Sequence, residues 1–192
     1  MAYACGVVMS YYRRWYAPGG TTFFTIVTYS RLCIFRHSNA RRLLGNVMRE
    51  VAEELPFETN AIVLLWDHLH AIWTLPEGDF DYSSRWQEIK YRFTQRWLAA
   101  GGEEAQVTSA QKRRGNRGIW QKRFWDRLVR DEDEFKALLD YVHYNPVKHG
   151  YVDRPGDWEF SSFQRWMVRG EYDRNWGSNP DGRIDFMVPE FD

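Results

Sequence analysis

Residues 61–75 read AIVLLWDHLHAIWTL, and the predicted fold is built around them. Residues 61–65 and 68–75 are two apolar runs of strand length. Because only Trp66-Asp67 separates them, the sequence predicts two antiparallel strands joined by a tight turn. The run Pro76-Glu77-Gly78 then ends the second strand.

Patterning on both sides of this hairpin predicts the remaining elements. Residues 21–29 are β-branched and aromatic, which is typical of a strand. Apolar residues at helical spacing predict three long helices, over 38–55, 83–99 and 131–145, and a short helix over 161–168. Residues 100–117 read as a mobile basic loop, and residues 118–129 as an extended segment.

Capping residues mark the expected helix ends. Ser38 or Asn39 suits the cap of the first helix. Asp131 and Glu134 have the spacing of a capping box for the third long helix, and Asn145-Pro146 is expected to stop it. The order strand, helix, hairpin, helix, strand, helix indicates an α+β fold, a split βαβ sheet with its helices on one face.

Charge is unevenly distributed although the formal net charge is zero. Residues 1–49 contain seven Arg and no acidic residue, and residues 85–130 contain twelve Lys or Arg against four Asp or Glu. Aromatic residues lie between the basic ones at 11–16 and 122–127. These blocks suit a phosphate backbone with exposed bases. A solvated charged face and an aromatic-rich core are the structural alternatives.

Cysteine use and hydropathy favour a cytoplasmic setting. Cys5 and Cys33 have no spacing typical of a metal site or a disulfide framework, which suits a reducing compartment. No apolar run approaches the roughly 20 residues that a membrane helix needs, so we expect no membrane association.

His68 and His70 form the first candidate site. Side chains alternate faces along a strand, so these two imidazoles point the same way and can chelate one ion. An isolated His-x-His is a weak signal, because paired strand histidines are as often structural or exposed.

Tyr141 and Asn145 form the second candidate site, in the run DYVHYNP from Asp140. They are four residues apart and therefore share one face of the helix. A tyrosine that only packs its ring is the structural alternative. A free phenol has a pKa near ~10 and is a poor nucleophile at neutral pH, and a cation beside the target phosphate would aid its attack. Two imidazoles and an amide oxygen suit Mg²⁺ or Mn²⁺.

The chain resembles the REP-associated tyrosine transposases, single-tyrosine relatives of insertion-sequence transposases, over roughly residues 12–176. The resemblance rests on the HUH segment DHLHAIWTLPEGD from Asp67 and on runs that follow in the family's order. These runs are YYRRWYAPGGTTFFT, IWQKRFWDRLVRDEDEF, DYVHYNPVKHG and DWEFSSFQRW. Two departures are Trp66, where the family usually has Pro, and a longer basic loop over 100–117.

This resemblance implies a ferredoxin-like antiparallel sheet and a role for each candidate residue. His68, His70 and Asn145 match the metal ligands, and Tyr141 matches the nucleophile, with Tyr144 as its competitor. The resemblance and the basic blocks together suggest DNA-binding residues, which are Tyr12, Arg13, Arg14, Gly20, Thr21, Lys122, Arg123, Arg127, Lys148 and His149. We expect an N-terminal extension over 1–11, a catalytic domain over 12–150 and a C-terminal helical and irregular extension over 151–192 packed on it.

The expected function is metal-dependent cleavage and rejoining of single-stranded DNA through a 5′-phosphotyrosine intermediate. The expected partners are REP-type palindromes folded as single-stranded hairpins, bound by a monomer, with a dimer as the alternative, in the cytoplasm at the nucleoid. Two other functions remain open. One is a hairpin-binding protein that has kept the fold without turnover, and the other is a metal phosphodiesterase that uses water.

Overall fold

The predicted hairpin supplies an edge strand and an inner strand of a four-stranded antiparallel sheet in the computed structural model, which describes residues 18–178. The strands are β1 (Thr21–Val27), β2 (Glu58–Leu64), β3 (His68–Thr74) and β4 (Trp125–Leu128). The helices are α1 (Ser38–Glu54), α2 (Tyr82–Ala99), α3 (Ser109–Arg113), α4 (Glu132–Lys148) and α5 (Phe163–Val168). Three 3₁₀ turns lie at Tyr29–Arg31, Ile34–Arg36 and Pro155–Asp157.

The strands are ordered β2-β3-β1-β4 in the sheet. The long helices α1 and α2 connect β1 to β2 and β3 to β4, with the short α3 following α2. Together with the strand order, this arrangement is the split βαβ, ferredoxin-like topology. The predicted α+β antiparallel fold is therefore confirmed. β3 pairs with β2 on one side and with β1 on the other, so it lies inside the sheet and all but its last residue are buried.

The helices pack on both faces of the sheet, and the prediction that they lie on one face is wrong. Phe24 faces α1 and α2, whereas its neighbour Phe23 faces α4. Both side chains are fully buried. Since successive residues of a strand point to opposite faces, a strand with two adjacent buried aromatics needs cover on each side.

The third long helix continues past its expected end. Asp131 caps it as predicted, accepting a hydrogen bond from the Glu134 amide at 2.8 Å. The prediction that Asn145-Pro146 stops the helix is wrong, because α4 runs through Pro146 to Lys148. Proline removes only one N–H, and its fixed φ suits a helix. The His149 amide still donates to the Asn145 carbonyl at 3.0 Å.

Two other boundaries differ from expectation. The N-cap of α1 is His37, which makes no side-chain cap hydrogen bond, rather than Ser38 or Asn39. The 100–117 segment contains helix α3, which begins with a capping box between Thr108 and Gln111. Its side chains therefore satisfy the backbone locally, which patterning of so short a helix did not reveal.

Two glycines provide a matched test of this packing. A methyl group added at Gly118 would lie 2.0 Å from the Ala105 carbonyl oxygen, whereas one added at Gly45, inside α1, meets no heavy atom within 4 Å. We expect Gly118→Ala to lower the free energy of unfolding by about 1–3 kcal/mol. Gly45→Ala should raise it by roughly 0.5–1 kcal/mol, because alanine favours the helix. Urea unfolding midpoints measure both, and equal midpoints would contradict this account of the packing.

Candidate active site

The paired histidines of β3 lie on the sheet face that α4 covers. His68 and His70 are fully buried, and their ring centroids are 5.1 Å apart at an interplanar angle of 85°. His70 stacks on Phe23 of β1 at 5.5 Å. The alternation of the strand therefore brings both imidazoles to one place, as the sequence predicted.

Each imidazole is oriented by a hydrogen bond at Nδ1. His68 Nδ1 lies 2.6 Å from Asp67 Oδ1, and His70 Nδ1 lies 2.9 Å from Thr25 Oγ1. The two Nε2 atoms are buried and have no hydrogen-bond partner among the described residues. Metal-binding histidines are typically held in this way, with one nitrogen hydrogen-bonded and the other available.

Asp67 and Thr25, the partners of the two histidines, were omitted from the predicted site. Arg31 contacts the Asp67 carboxylate at 3.2 Å. Burial would raise the pKa of Asp67, but hydrogen bonds and charge from His68 and Arg31 hold it below its ordinary value. Asp67 is therefore an ionised acceptor for His68. Its position directly before the histidine was the available signal, whereas Thr25 is 45 residues from His70 and gave none.

Tyr141 and Asn145 face these histidines from α4. The Tyr141 ring centroid is 5.2 Å from that of His70 and 5.9 Å from that of Phe23. The Asn145 amide nitrogen donates to the Tyr141 carbonyl at 3.3 Å. Its Oδ1 is buried and has no hydrogen-bond partner in the described part of the chain. The structure thus brings together the four residues that the sequence singled out.

The local electrostatics favour a neutral His70. Burial lowers its pKa well below the ordinary value, and the charges of His68, His149 and Lys148 lower it further. A smaller hydrogen-bonding effect of the Asn145 side chain raises it. A neutral imidazole has a nitrogen lone pair for a cation.

The donor set fits a divalent cation. His68 Nε2, His70 Nε2 and Asn145 Oδ1 are three buried polar atoms without partners in residues 18–178. No group of three His, Cys, Asp or Glu side chains within that range could hold a metal. A cation would therefore have few protein ligands, with positions open to phosphate oxygens. This mixed nitrogen and oxygen set suits Mg²⁺ or Mn²⁺ better than a closed zinc site.

Two of the predicted DNA-binding residues lie beside the histidines, at the end of α4. Lys148 Nζ is 5.3 Å from the Tyr141 ring centroid. The His149 ring is 5.1 Å from that of His68 and stacks on Tyr151. The continuation of α4 through Pro146 places both residues here.

The other predicted DNA-binding residues lie further away or elsewhere. Arg127 shares the histidine-bearing face but forms an ion pair with Glu134. Gly20 and Thr21 lie at the far end of β1, where Thr21 pairs with Thr74 rather than with the histidines. Lys122 and Arg123 are exposed in the segment before β4. Three further residues lie outside the described part, which are Tyr12, Arg13 and Arg14.

The competing tyrosine has a different environment. The Tyr144 ring lies edge-on to Trp176 of the C-terminal segment, with centroids 6.4 Å apart. The ring contact with His70 belongs to Tyr141. The geometry therefore favours Tyr141 as the residue that acts with the histidines.

Comparison with known proteins finds close relatives among both characterised proteins and solved structures. A REP-associated tyrosine transposase of Escherichia coli (strain K12) is 40% identical over 171 residues, which span 89% of this chain and 93% of that protein. A Haemophilus influenzae protein named for the same family is 40% identical over 176 residues, 92% of this chain and 98% of that protein. A solved REP-associated tyrosine transposase, bound to a REP hairpin, has a TM-score of 0.72 at 39% identity, covering 92% of this chain and 96% of that one. No family model matches the chain.

The fold, the site and these matches define an enzyme of the transposase class. The chain belongs to the family of REP-associated tyrosine transposases. Within residues 18–178, no helix has the length and apolar character needed to cross a bilayer.

Proposed function

We propose that this transposase cleaves and rejoins single-stranded DNA at REP-type hairpins, with Tyr141 as the nucleophile. The observation that carries the proposal is the placement of the Tyr141 ring 5.2 Å from His70, beside two imidazole nitrogens and an amide oxygen without partners. The related structure bound to a REP hairpin supports the choice of partner.

In the cleavage step, the Tyr141 hydroxyl oxygen attacks a DNA phosphate. The Tyr141 Oη–P bond forms as the phenol loses its proton, and the bond from phosphorus to the 3′-oxygen breaks. The departing 3′-oxygen takes up a proton and becomes a 3′-hydroxyl, while the 5′-phosphate stays on Tyr141. One phosphodiester replaces another, so a 3′-hydroxyl can reverse the step without an external energy source.

Packing around the nucleophile keeps it oriented. Phe23 and His70 hold the Tyr141 ring edge-on from the sheet, and the Lys148 ammonium lies over the same ring. The positive charge of Lys148 favours a phosphate at this place. A nucleophile held in one orientation loses little entropy on reaching the attack geometry.

His68, His70 and Asn145 would hold a Mg²⁺ or Mn²⁺ ion. Such an ion, when bound, would withdraw charge from the phosphate and help to orient it. Asp67 and Thr25 would serve this site by fixing the two rings through their Nδ1 atoms.

The setting of the reaction follows from its substrate. REP-type palindromes of the chromosome would place the enzyme at the nucleoid in the cytoplasm. A monomer contains all the side chains proposed above. We therefore propose that the monomer is the active form, with the dimer as the alternative.

Covalent capture of DNA tests this function. The substrate is an oligonucleotide with the palindrome that flanks the coding region and single-stranded segments on both sides, labelled at each end in turn. With Mn²⁺ or Mg²⁺, we expect a denaturant-resistant adduct with the label of the 3′ segment, together with a released fragment that ends in a 3′-hydroxyl. Chelation by EDTA should prevent both products.

The other outcomes separate the alternatives. Binding of the hairpin without an adduct or a cut would indicate a binding protein without turnover. Cutting without an adduct would indicate a phosphodiesterase that uses water. Either result would refute the tyrosine mechanism.

A further inference from the structure

A series of hydrogen bonds links the sheet to α4, the helix that contains Tyr141. The Ile62 amide of β2 donates to Ser162 Oγ at 2.9 Å, and Ser162 Oγ lies 2.9 Å from His143 Nε2. His143 Nδ1 lies 3.2 Å from the Tyr172 hydroxyl, which donates to Asp140 Oδ1 at 2.7 Å. These hydrogen bonds connect five groups from three segments of the protein, and we call the connected groups the row.

The donor and the acceptor of each hydrogen bond in the row follow from the number of protons that its side chains carry. Tyr172 gives its only hydroxyl proton to Asp140, so the His143 Nδ1–H must be the donor to Tyr172. The His143 ring is fully buried. With Nδ1 as its protonated nitrogen, Nε2 accepts from the Ser162 hydroxyl, which lies 2.9 Å away. Every donor in the row has an acceptor.

The C-terminal segment also pairs directly with the edge of the sheet. The Leu64 amide donates to the Phe160 carbonyl, and the Ser162 amide donates to the Ile62 carbonyl, both at 2.8 Å. Further along, Tyr172 stacks on Phe163 with centroids 5.0 Å apart. The segment that contains Ser162 and Tyr172 is thereby anchored to β2 before it reaches α4.

The row meets α4 on both sides of the nucleophile. Asp140 precedes Tyr141 directly, and His143 follows it by two residues. The histidines that face Tyr141 belong to the sheet, so their distance from the phenol depends on how α4 lies on the sheet. Apolar packing of α4 has little directionality, whereas hydrogen bonds fix rotation about the helix axis and shift along it.

We propose that Tyr172 and His143 are positioning residues that lock α4 against the sheet so that Tyr141 faces the paired histidines. The inference rests on the proposed function, because it assigns the lock to that reaction. A misplacement of about 1 Å at a reacting group can cost about 10²-fold in rate, so a lock of this kind has a measurable consequence.

Removal of one hydroxyl tests the proposal. Tyr172→Phe keeps the ring that stacks on Phe163 but breaks the row in the middle. We expect single-turnover cleavage of the hairpin substrate to slow by about 10- to 100-fold, while the Kd for the hairpin stays within about twofold. Tyr91→Phe is the matched control, because it removes a hydroxyl from a ring that is 60% exposed on α2, and all its values should equal those of the wild type.

A second variant and a spectroscopic readout complete the test. Ser162→Ala breaks the other end of the row and should also slow cleavage. This variant decides the question if Tyr172→Phe does not fold. Nitrogen NMR of histidine-labelled protein, with His143→Gln to assign the signal, should show His143 protonated at Nδ1 in the wild type. This preference should weaken in Tyr172→Phe.

Three results would overturn the lock. They are unchanged cleavage in Tyr172→Phe, loss of hairpin affinity in proportion to cleavage, or a wild-type His143 protonated at Nε2. A wild-type protein that forms no adduct would instead refute the proposed function, and the lock would fall with it. If the wild type and Tyr172→Phe both cleave at the normal rate, the lock is refuted and the proposed function stands.

Discussion

Tyr141→Phe is expected to abolish both the covalent adduct and strand cleavage, a loss of about 10³-fold or more, while hairpin affinity stays within about twofold. The substitution removes only the attacking oxygen. The phenylalanine ring keeps the edge-on contacts with His70 and Phe23. Gel separation of denatured reactions, alongside a binding titration on the same preparation, measures the two effects independently.

Tyr144→Phe is the matched control for this substitution. It removes the hydroxyl of the other tyrosine in the same helix, whose ring lies against Trp176. Its cleavage should stay within a few-fold of the wild type. If Tyr144→Phe abolished the adduct and Tyr141→Phe retained it, the assignment of the nucleophile would be wrong.

His70→Ala is expected to reduce cleavage by about 10³-fold at a fixed Mn²⁺ concentration. The Lewis-acid contribution of a bound cation is worth several kcal/mol, and this rate factor corresponds to about 4 kcal/mol. Because the variant also leaves space in a buried region, its fold must be verified by urea unfolding. Hairpin binding measured in EDTA should be retained, since the substitution leaves the DNA-facing charges in place.

Thr25→Val gives a graded companion to His70→Ala. It keeps the shape of the side chain but removes the oxygen that lies 2.9 Å from His70 Nδ1. Loss of such a supporting partner typically costs 10- to 100-fold in metal affinity, so about that much more Mn²⁺ should restore cleavage. Cleavage by both variants at the wild-type rate and wild-type Mn²⁺ requirement would contradict the proposed role of His70.

The parts of the site that the sequence predicted depend on local periodicity. His68 and His70 share a face because strand side chains alternate, and Tyr141 and Asn145 share one because a helix repeats every 3.6 residues. The hairpin followed from two apolar runs with two residues between them. These relations hold within one element, so no knowledge of the tertiary structure was needed.

The parts that the sequence did not predict depend on contacts between distant segments. The partnership of Thr25 with His70 requires the register of β1 against β3. The lock through His143 and Tyr172 requires the C-terminal segment to reach α4. The continuation of α4 through Pro146 depends on hydrogen bonds around the proline that propensity does not describe. Two adjacent aromatic residues, Phe23 and Phe24, indicate a strand that is covered on both faces of the sheet, although the prediction did not use this signal.

Tandem mass spectrometry of the trapped adduct identifies the nucleophile without reference to any variant. After nuclease and trypsin digestion, the peptide spanning residues 137–148 contains both Tyr141 and Tyr144. We expect a nucleotide phosphate to be attached to Tyr141, so that fragment ions from the carboxyl end gain its mass only when they include Tyr141. Attachment at Tyr144 or at any other residue would contradict this expectation.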